Sequence, residues 1–393
     1  MDYKPLSKIY YENFSAHNQI YLERFKAPAT KHFTFSIRQF NRHKEFPTFL
    51  CYTEELLLLL EKIYKKQEQL TQIILQIPPL ILKQFELLSV IDEVKSTGDI
   101  EGVNSSRREL KKILEGVSKS PNFSSIIKKY NSLRFDDIFS FQNCTDIRTF
   151  YDDFIQPEIT EKLDGKIFRV DSVDITSGTG KTLHRGVYPE EKIIHAMEVA
   201  LQILNDENIP TLIRIAVFHY FFEYIHPFYD GNGRTARFIA SYYLKEHFNY
   251  FVALRLSVII KRNRKKYYEI FSQTDSEFNC GDLTPFVYGF TSMIAETFDD
   301  IEFNLKRKVN QLEKYREKLF ALIPKDDLSR EIYDILLQSS LFFGSGVSMQ
   351  ELMKLSGKSR NTINARLLAA PKEHITIIGK QKFFYKLNLK IFL

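Results

Sequence analysis

Hydrophobic residues recur at helical spacing along most of the chain, so the sequence predicts a mainly α fold. The first long helix is predicted over residues 54–77, where the Pro78-Pro79 pair ends the Leu and Ile repeat. A second apolar face follows and runs into the segment KSTGDIEG. Further helices are predicted at 107–114, 124–133, 190–204, 212–224, 235–247, 265–272, 284–298 and 300–322.

Three regions depart from this pattern. Residues 1–50 are rich in aromatic side chains and are interrupted by three prolines, so we expect an extended arm packed on another part of the protein. Over residues 165–187, two β-rich runs flank a Gly/Ser/Thr turn, which predicts a small β-hairpin. Near the C-terminus, two short strand patterns follow three predicted helices, an order that resembles a winged helix-turn-helix. Those helices are predicted at 328–338, 349–356 and 360–369.

The composition is that of an ordinary globular protein, with 44% hydrophobic and 26% charged residues. The three cysteines are far apart and form no CxxC pair, which excludes a disulfide scaffold and a zinc ribbon. The chain starts without the charged and apolar regions of a signal peptide, and its most apolar stretch, 70–91, is broken by polar residues and prolines. We therefore expect a cytoplasmic protein without a membrane span.

Positive charge is concentrated near the C-terminus. The whole chain has a net charge of +6, and residues 325–393 hold eleven Lys and Arg against six Asp and Glu. This asymmetry indicates a separate domain. The basic run KRNRKK at 261–266 leads straight into a predicted helix and is interpreted as a solvated helix face rather than a nucleic-acid site.

A polar loop between two predicted helices reads HPFYDGNGRTAR over residues 226–237. The glycines of its Gly-Asn-Gly triplet allow positive φ, so successive backbone N–H groups can converge on an anion at the start of the next helix. Arg234 and Arg237 lie on the first turn of that helix, where both guanidinium groups can bind further phosphate oxygens. The loop is therefore predicted to bind phosphate.

The same loop carries an acid and a base. Asp230 is suited to hold Mg²⁺ through its carboxylate. His226, which titrates near neutral pH, can take a proton from an incoming hydroxyl. Together these groups suit attack of a hydroxyl on a nucleotide phosphate, with catalysis by positioning and charge neutralisation.

The loop matches all nine fixed positions of the pattern HPFx[D/E]GNGRxxR, and the chain resembles the Fic domain family of protein adenylyltransferases over about residues 50–300. The resemblance implies a Fic-type helical core that transfers AMP from ATP, with Mg²⁺ or Mn²⁺, to Ser, Thr or Tyr hydroxyls of target proteins and of itself. It implies that His226 is the general base and Asp230 the metal ligand. It further implies that the phosphates are cradled by Gly231, Asn232 and Gly233. Arg234 is implied to contact the β-phosphate region and Arg237 the γ-phosphate. Phe228 is implied to support the loop.

The segment TGDIEG fits the pattern [S/T]xxxE[G/N] of the family's inhibitory helix. Its Thr97 and Glu101 lie at i and i+4, on one face of a helical turn. A Glu101 carboxylate paired with Arg237 would occupy the site of the γ-phosphate, so ATP would bind unproductively. The resemblance thus implies that Thr97, Glu101 and Gly102 form an intramolecular inhibitor. Gly98 inside the helix costs about 1 kcal/mol relative to alanine, which predicts that this inhibitor is held loosely.

The resemblance also implies partners. The hairpin at 168–185 resembles the family's flap, which docks a target segment by strand addition, and a homodimer is implied. The chain is predicted to contain an N-terminal helical region with the inhibitory motif (1–115), a catalytic core with the flap (116–310), and a linker helix with the winged helix-turn-helix (311–393).

Other functions stay open. The same site could remove AMP, with Glu101 orienting a water, and a toxin role is a further reading. Alternatively, the chain is a DNA-binding regulator whose core only senses nucleotide, although the C-terminal module could instead serve dimerisation or intramolecular packing. The residues predicted to face DNA are Lys358, Arg360, Asn361, Asn364 and Arg366 on the third helix, with Lys380 and Lys382 on the wing.

Overall fold

A computed structural model describes residues 3–120, 123–135, 137–155, 165–176, 179–323, 325–343, 346–379 and 383–392. They are mainly helical, as predicted, and form two compact units. One unit contains residues 1–69 and 89–299, and the other contains residues 70–88 and 300–393. The predicted domain boundaries near 115 and 310 stay predictions. Within the described part of the chain, no helix combines the length and the apolar character that crossing a membrane requires.

The elements follow one another in a simple order. The N-terminal region contains α1 (Leu6–Glu12), α2 (Phe14–Lys26), β1 (Thr30–Ile37), β2 (Phe46–Cys51), α3 (Glu54–Gln76) and α4 (Pro79–Ile100). The middle region contains α5 (Arg107–Leu114), α6 (Ser124–Ser132), α7 (Cys144–Phe154), β3 (Asp174–Thr176), β4 (Thr182–Arg185), α8 (Glu190–Asn205) and α9 (Thr211–Ile225). Then follow α10 (Asn232–His247), α11 (Tyr250–Ala253), α12 (Leu256–Arg262), α13 (Arg264–Asp275) and α14 (Thr284–Leu322).

The prediction of an extended arm over residues 1–50 is wrong. This segment forms two helices and the antiparallel hairpin of β1 and β2, in which Thr30 pairs with Cys51. The three prolines do not prevent these elements, because Pro5 precedes the first helical residue, Pro28 lies in the turn between α2 and β1, and Pro47 lies within β2. Leu6 and Phe49 join a buried apolar cluster, so the segment belongs to the core of the first unit.

Helix α9 lies at the centre of the first unit. Nearly all of its side chains are buried, because its sequence TLIRIAVFHYFFEYI is apolar on every side. Its His219 is fully buried, stacks on Phe290 and hydrogen-bonds to the hydroxyl of Tyr267 (2.7 Å). Burial lowers the pKa of His219 to about 3, so it is a neutral residue of the core.

The two helices predicted at 284–298 and 300–322 are a single helix, α14, of 39 residues. Neither Gly nor Pro stands at the expected break, where Asp299 and Asp300 read as a helix start. The amide of Asn304 instead donates to the backbone carbonyl of Asp300 (2.7 Å), within a continuous helix.

The predicted hairpin is present in a short form, whereas its role as a flap stays a prediction. β3 and β4 pair antiparallel, with Asp174 opposite Arg185 and Ile175 opposite His184. Both strands are shorter than the predicted β-rich runs, and residues 177–178 at the turn lie outside the described residues.

The second unit contains the predicted C-terminal elements. These are α15 (Asp327–Phe342), β5 (Val347–Ser348), α16 (Met349–Ser356), α17 (Arg360–Ala369), β6 (Ile375–Ile378) and β7 (Phe384–Leu387). Their three strands form an antiparallel sheet in the order β5-β7-β6. The three predicted helices and both predicted strands are present, whereas the interpretation as a winged helix stays a prediction. Lys380 and Lys382 of the predicted wing lie outside the described residues.

Candidate active site

His226 ends helix α9 in the left-handed region, at φ 53° and ψ 63°. Its backbone N–H donates to Phe222 O (2.9 Å), and its Nδ1 lies 3.3 Å from Glu223 O. A proton on Nδ1 satisfies that carbonyl and leaves Nε2 unprotonated. Burial lowers the pKa of His226 to about 4, so the imidazole is neutral near pH 7 and can accept a proton.

Arg169 holds the strained backbone at His226. Its guanidinium is fully buried and donates to carbonyl oxygens of His226 (2.8 Å) and Val187 (2.7 Å), and also to that of Ile225 (3.2 Å). Its backbone N–H donates to Pro227 O (3.2 Å). One side chain thus joins the segment leading into the flap to the segment that carries the histidine. Sequence reasoning did not find Arg169, because nothing in its local sequence indicates that it is buried.

Glu223 is a second residue that sequence reasoning missed. Its Oε2 lies 3.9 Å from His226 Nδ1, its side chain is 14% exposed, and its Oε1 is buried without a hydrogen-bond partner among the described residues. Burial and the nearby Glu101 carboxylate raise the pKa of Glu223 to about 8, against the opposing effect of Arg237. The contact with His226 is therefore not an ion pair near pH 7. Glu223 is the lone acid on an apolar helix, a signal that could have identified it.

Asn232 fixes the shape of the motif loop. Its side chain accepts from Phe228 N (2.9 Å) and donates to Phe228 O (2.7 Å), so this amide closes the loop rather than facing an anion. Phe228 is fully buried and stacks on Tyr151 at 3.6 Å, as expected for a support of the loop. Gly231 has φ 78°, and a Cβ there would lie 2.5 Å from Ile155. The loop is thus rigid and requires glycine at 231.

The start of α10 offers free backbone donors. Among the described residues, the backbone N–H groups of Asn232 and Gly233 donate to no acceptor, as is usual in the first turn of a helix. They lie at the positive end of the helix dipole. In this part of the predicted phosphate site the donors are backbone N–H groups, and such groups at the start of a helix can bind an anion.

Asp230 and Arg234 form an ion pair beside these donors. Arg234 Nη2 lies 3.2 Å from Asp230 Oδ2, and Asp230 Oδ1 accepts from Gly231 N (2.6 Å). The Asp230 side chain is 63% exposed, whereas that of Arg234 is 3% exposed. Among the described residues no group of three or more His, Cys, Asp or Glu could hold a metal. A single exposed carboxylate fits Mg²⁺ that is bound mainly by nucleotide phosphates.

Arg237 contacts two of the three residues predicted to form the inhibitory segment (residues 97–102). Its Nη2 donates to Glu101 Oε1 (2.7 Å), and its Nε donates to Thr97 Oγ1 (3.0 Å). Nη2 also donates to Thr97 O (3.2 Å). Arg237 is 1% exposed and Glu101 is 30% exposed. The pairing expected between Glu101 and Arg237 is therefore present.

The inhibitory segment ends helix α4 in a tight turn. Gly102 N donates to Asp99 O (3.3 Å) and Val103 N donates to Gly98 O (3.0 Å), the two bonds of a Schellman motif. Gly102 has φ 80°, which explains the glycine at this position of the motif. A Cβ on Gly98 would lie 2.8 Å from Val103 O, so that glycine allows the turn to close. The expectation that Gly98 loosens the segment is corrected on this ground.

These groups meet in one cavity of about 620 Å³. Several predicted residues line it: Glu101, His226, Asp230, Gly231, Asn232, Gly233 and Arg237. Thr97, Gly102, Phe228 and Arg234 lie outside this lining. Other parts of the wall come from the flap and the β1–β2 loop. The cavity therefore brings a neutral imidazole, free helix N–H donors and a carboxylate-bound arginine together.

Comparison with known proteins places these residues in a family. The Fic/DOC family model matches residues 143–244, from the start of α7 into the last turns of α10. A protein adenylyltransferase Fic of Drosophila erecta is 35% identical over 99 residues, which are 24% of this chain and 18% of the relative. The protein adenylyltransferase fic-1 of Caenorhabditis elegans is 29% identical over 201 residues, which are 49% of this chain and 37% of the relative. The chain thus aligns with less than half the length of these relatives.

The fold has a solved counterpart. The crystal structure of a Fic family protein from Desulfovibrio desulfuricans G20 superposes with a TM-score of 0.53 at 19% identity and covers 85% of this chain and 96% of that chain. At this identity the likeness concerns the fold alone. The family match contains the whole HPFYDGNGRTAR loop and the helices on both sides of it. Residues 143–244 therefore form a domain of the Fic/DOC family.

Proposed function

We propose that this protein is a protein adenylyltransferase that transfers AMP from ATP to a hydroxyl group of a protein. The observation that carries the proposal is the cavity lined by His226, Asn232 and Gly233. His226 Nδ1 lies beside Glu223 O, so Nε2 is the nitrogen left to act as a base. A base beside an anion site suits attack of a hydroxyl on a phosphate. The names of the curated relatives support the same reaction.

In the proposed reaction, Nε2 of His226 takes the proton of the target hydroxyl. The hydroxyl oxygen attacks the α-phosphorus of ATP, the bond from that phosphorus to the bridging oxygen breaks, and pyrophosphate leaves. The N–H groups at the start of α10 and the Arg237 guanidinium would hold phosphate oxygens in line for this attack. Asp230 would hold Mg²⁺, which neutralises charge on the phosphates when bound.

We further propose that Glu101 inhibits this reaction. Its carboxylate occupies Nη2 of Arg237, a donor that the γ-phosphate of ATP would otherwise use. Because the pair is 2.7 Å apart and Arg237 is buried, ATP must displace Glu101 or bind without that contact. The wild-type protein is therefore expected to have low activity.

The test uses ATP labelled on its α-phosphate, Mg²⁺ and a cell lysate as the source of targets. We compare wild type, Glu101→Gly, and Glu101→Gly/His226→Ala. Strong labelling of protein by Glu101→Gly, at least tenfold above the other two, supports transfer, inhibition and the base together. Absence of label in all three variants contradicts the proposal. A protein already carrying AMP is supplied in parallel, because loss of its label would identify AMP removal instead.

The flap and the β1–β2 loop are proposed to dock the target segment. Flap residues Ile175, Thr182 and Leu183 line the same cavity as His226, and so do residues 39–42 of the β1–β2 loop. Tyr224 holds that loop, because its hydroxyl accepts from Arg38 N (2.7 Å). An extended segment between these two edges would present its hydroxyl to the base.

DNA binding by the second unit is the second candidate function. Lys358, Arg360 and Asn361 are exposed at the start of α17, where an anion would also meet the helix dipole. Duplex binding measured against salt concentration tests it. Arg360→Ala/Arg366→Ala should weaken binding at least tenfold, whereas Lys372→Ala/Lys390→Ala, which removes the same charge elsewhere in the unit, should matter less. Equal effects of both pairs would contradict a specific surface.

A further inference from the structure

A second cavity, of about 330 Å³, lies on the other face of helix α4. Helical geometry places Asp92, Lys95 and Ser96 opposite Thr97 and Glu101, so this cavity adjoins the inhibitory segment from behind. Helix α12 and the residue before it supply much of the remaining wall. Five of the lining residues are cationic: Lys95, Arg107, Arg255, Lys261 and Arg262.

Two carboxylates stand among these cations. Asp92 accepts from Arg107 Nε (2.7 Å) and lies 3.5 Å from Arg255. Asp99 accepts from Lys95 (2.9 Å) and Lys261 (2.5 Å). Against the opposing effect of partial burial, these lysines hold the pKa of Asp99 below its usual value. The five cationic side chains therefore outnumber the two carboxylates, so the group has a net positive charge.

The basic run at 261–266 contributes to this arrangement. Lys261 binds Asp99, and Arg264 Nη2 donates to Ile100 O (3.0 Å), the last residue of α4. Cations at the C-terminal end of a helix are favoured by its dipole. The interpretation of this run as a solvated face holds for the exposed Lys265 and Lys266, whereas Lys261 and Arg264 tie helices α12 and α13 to the end of α4.

We propose that this cavity binds a compact anion carrying phosphate groups, and that the bound anion loosens the inhibitory segment. Guanidinium and ammonium groups converging on a cavity of this size suit a di- or triphosphate rather than a large ligand. Such an anion competes with Asp99 for Lys95 and Lys261. Asp99 lies two residues before Glu101, so weakening its bonds frees the turn that presents Glu101 to Arg237.

The binding half is tested by calorimetry with inorganic pyrophosphate, without ATP or target protein. Wild type is compared with Arg107→Ala/Arg262→Ala, which changes the rim of the cavity, and with Lys265→Ala/Lys266→Ala, which removes the same charge outside it. The rim variant should lose one class of pyrophosphate site, at least tenfold in affinity, while the control retains it. Equal binding by all three proteins, or equal loss in both variants, overturns the proposal. Circular dichroism verifies that the variants are folded.

The regulatory half rests on the proposed function and has its own measurement. Hydrogen exchange at the amides of Gly102 and Val103 reports the bonds that close the inhibitory turn. Pyrophosphate should speed their exchange at least threefold more in wild type than in the rim variant, which keeps the active site. The same or slower exchange overturns the regulatory half. Because neither experiment needs AMP transfer, failure of the proposed function would leave both results interpretable.

Discussion

The carboxylate of Glu101 lies directly against the Cα of Gly233. A Cβ at position 233 would collide with Glu101 Oε1 and would come within 2.8 Å of Arg237 Nη1. The first turn of α10 therefore accepts the Glu101 side chain only because it carries glycine there. Residues 97–102 and the motif loop are thus in direct contact, although they lie more than a hundred residues apart in the sequence.

This contact predicts coupling between two substitutions. Gly233→Ala should lower the free energy of unfolding by about 1–3 kcal/mol, because the new methyl group overpacks the Glu101–Arg237 pair. In a Glu101→Gly background the nearest colliding atom is absent, so the loss should be at least about 1 kcal/mol smaller. Urea unfolding of the four proteins of the cycle measures the coupling. Additive losses would show that Glu101 does not rest on Gly233 in solution.

Alanine substitutions at two glycines distinguish the effect of backbone strain on stability from the effect of the turn on inhibition. Gly102 and Gly116 both have positive φ, and a Cβ on either would meet nothing within 4 Å. Alanine at either position should therefore cost about 1 kcal/mol of stability through backbone strain alone. Only Gly102→Ala weakens the turn that carries Glu101, so only this variant should raise protein labelling, by about threefold to tenfold. Equal labelling by the two variants would refute a role for the turn in inhibition.

Arg169 is expected to position His226 without contacting ATP. Arg169→Lys replaces the planar guanidinium that serves several carbonyls by a single ammonium. In the Glu101→Gly background this should lower kcat at least tenfold, while the KM for ATP changes less than twofold. Arg148→Lys is the control, because Arg148 donates to Ile167 O (3.2 Å) rather than to the His226 segment. A change in KM alone would argue against positioning.

Glu223 predicts a specific dependence of stability on pH. The group faces His226, Glu101, Arg237 and Tyr267, and its folded pKa of about 8 lies above the ordinary value of 4.5. The folded state then binds the proton of the Glu223 carboxyl more tightly than the unfolded state does. The stability that this protonation contributes is present below pH 4.5 and is lost as the pH rises towards 8.

Glu223→Gln replaces the titrating carboxyl group by an amide, so this variant should not lose stability over that pH range. The free energy of unfolding of Glu223→Gln minus that of wild type should therefore increase by at least about 2 kcal/mol between pH 5 and pH 8. Glu115→Gln, which changes a carboxylate that is 46% exposed, is the control. Parallel curves for Glu223→Gln and wild type would show that Glu223 is not held protonated in the fold.

The sequence predicted those parts of the site that depend on local spacing. Short sequence patterns identify the loop from His226 to Arg237 and the i, i+4 pair of Thr97 and Glu101, and the structure brings the two segments together. The phosphate role of Asn232 stays a prediction that rests on its backbone N–H, because its side chain is used inside the loop.

Residues whose role depends on tertiary contacts were not predictable in this way. Arg169 is important because it is buried beside three separate carbonyls, and its sequence neighbours do not indicate this. The hairpin of β1 and β2 was missed because Pro47 reads as a break, although the pairing partner Ser36 tolerates it. Burial and strand pairing are decided by distant parts of the chain, which local patterns do not contain.

The Schellman turn after α4 has a consequence for how this protein can change over evolutionary time. Glu101 N also donates to Gly98 O (3.0 Å), beside the two Schellman bonds. Within the turn Gly98 and Ile100 are buried, whereas Glu101 and Gly102 are exposed. Under the proposed function, a substitution at the exposed Gly102 would change the inhibition at a cost of about 1 kcal/mol of stability, whereas one at the buried Gly98 would also disturb the packing. If the proposed inhibition operates, lineages could therefore tune its strength through position 102 at a small cost in stability.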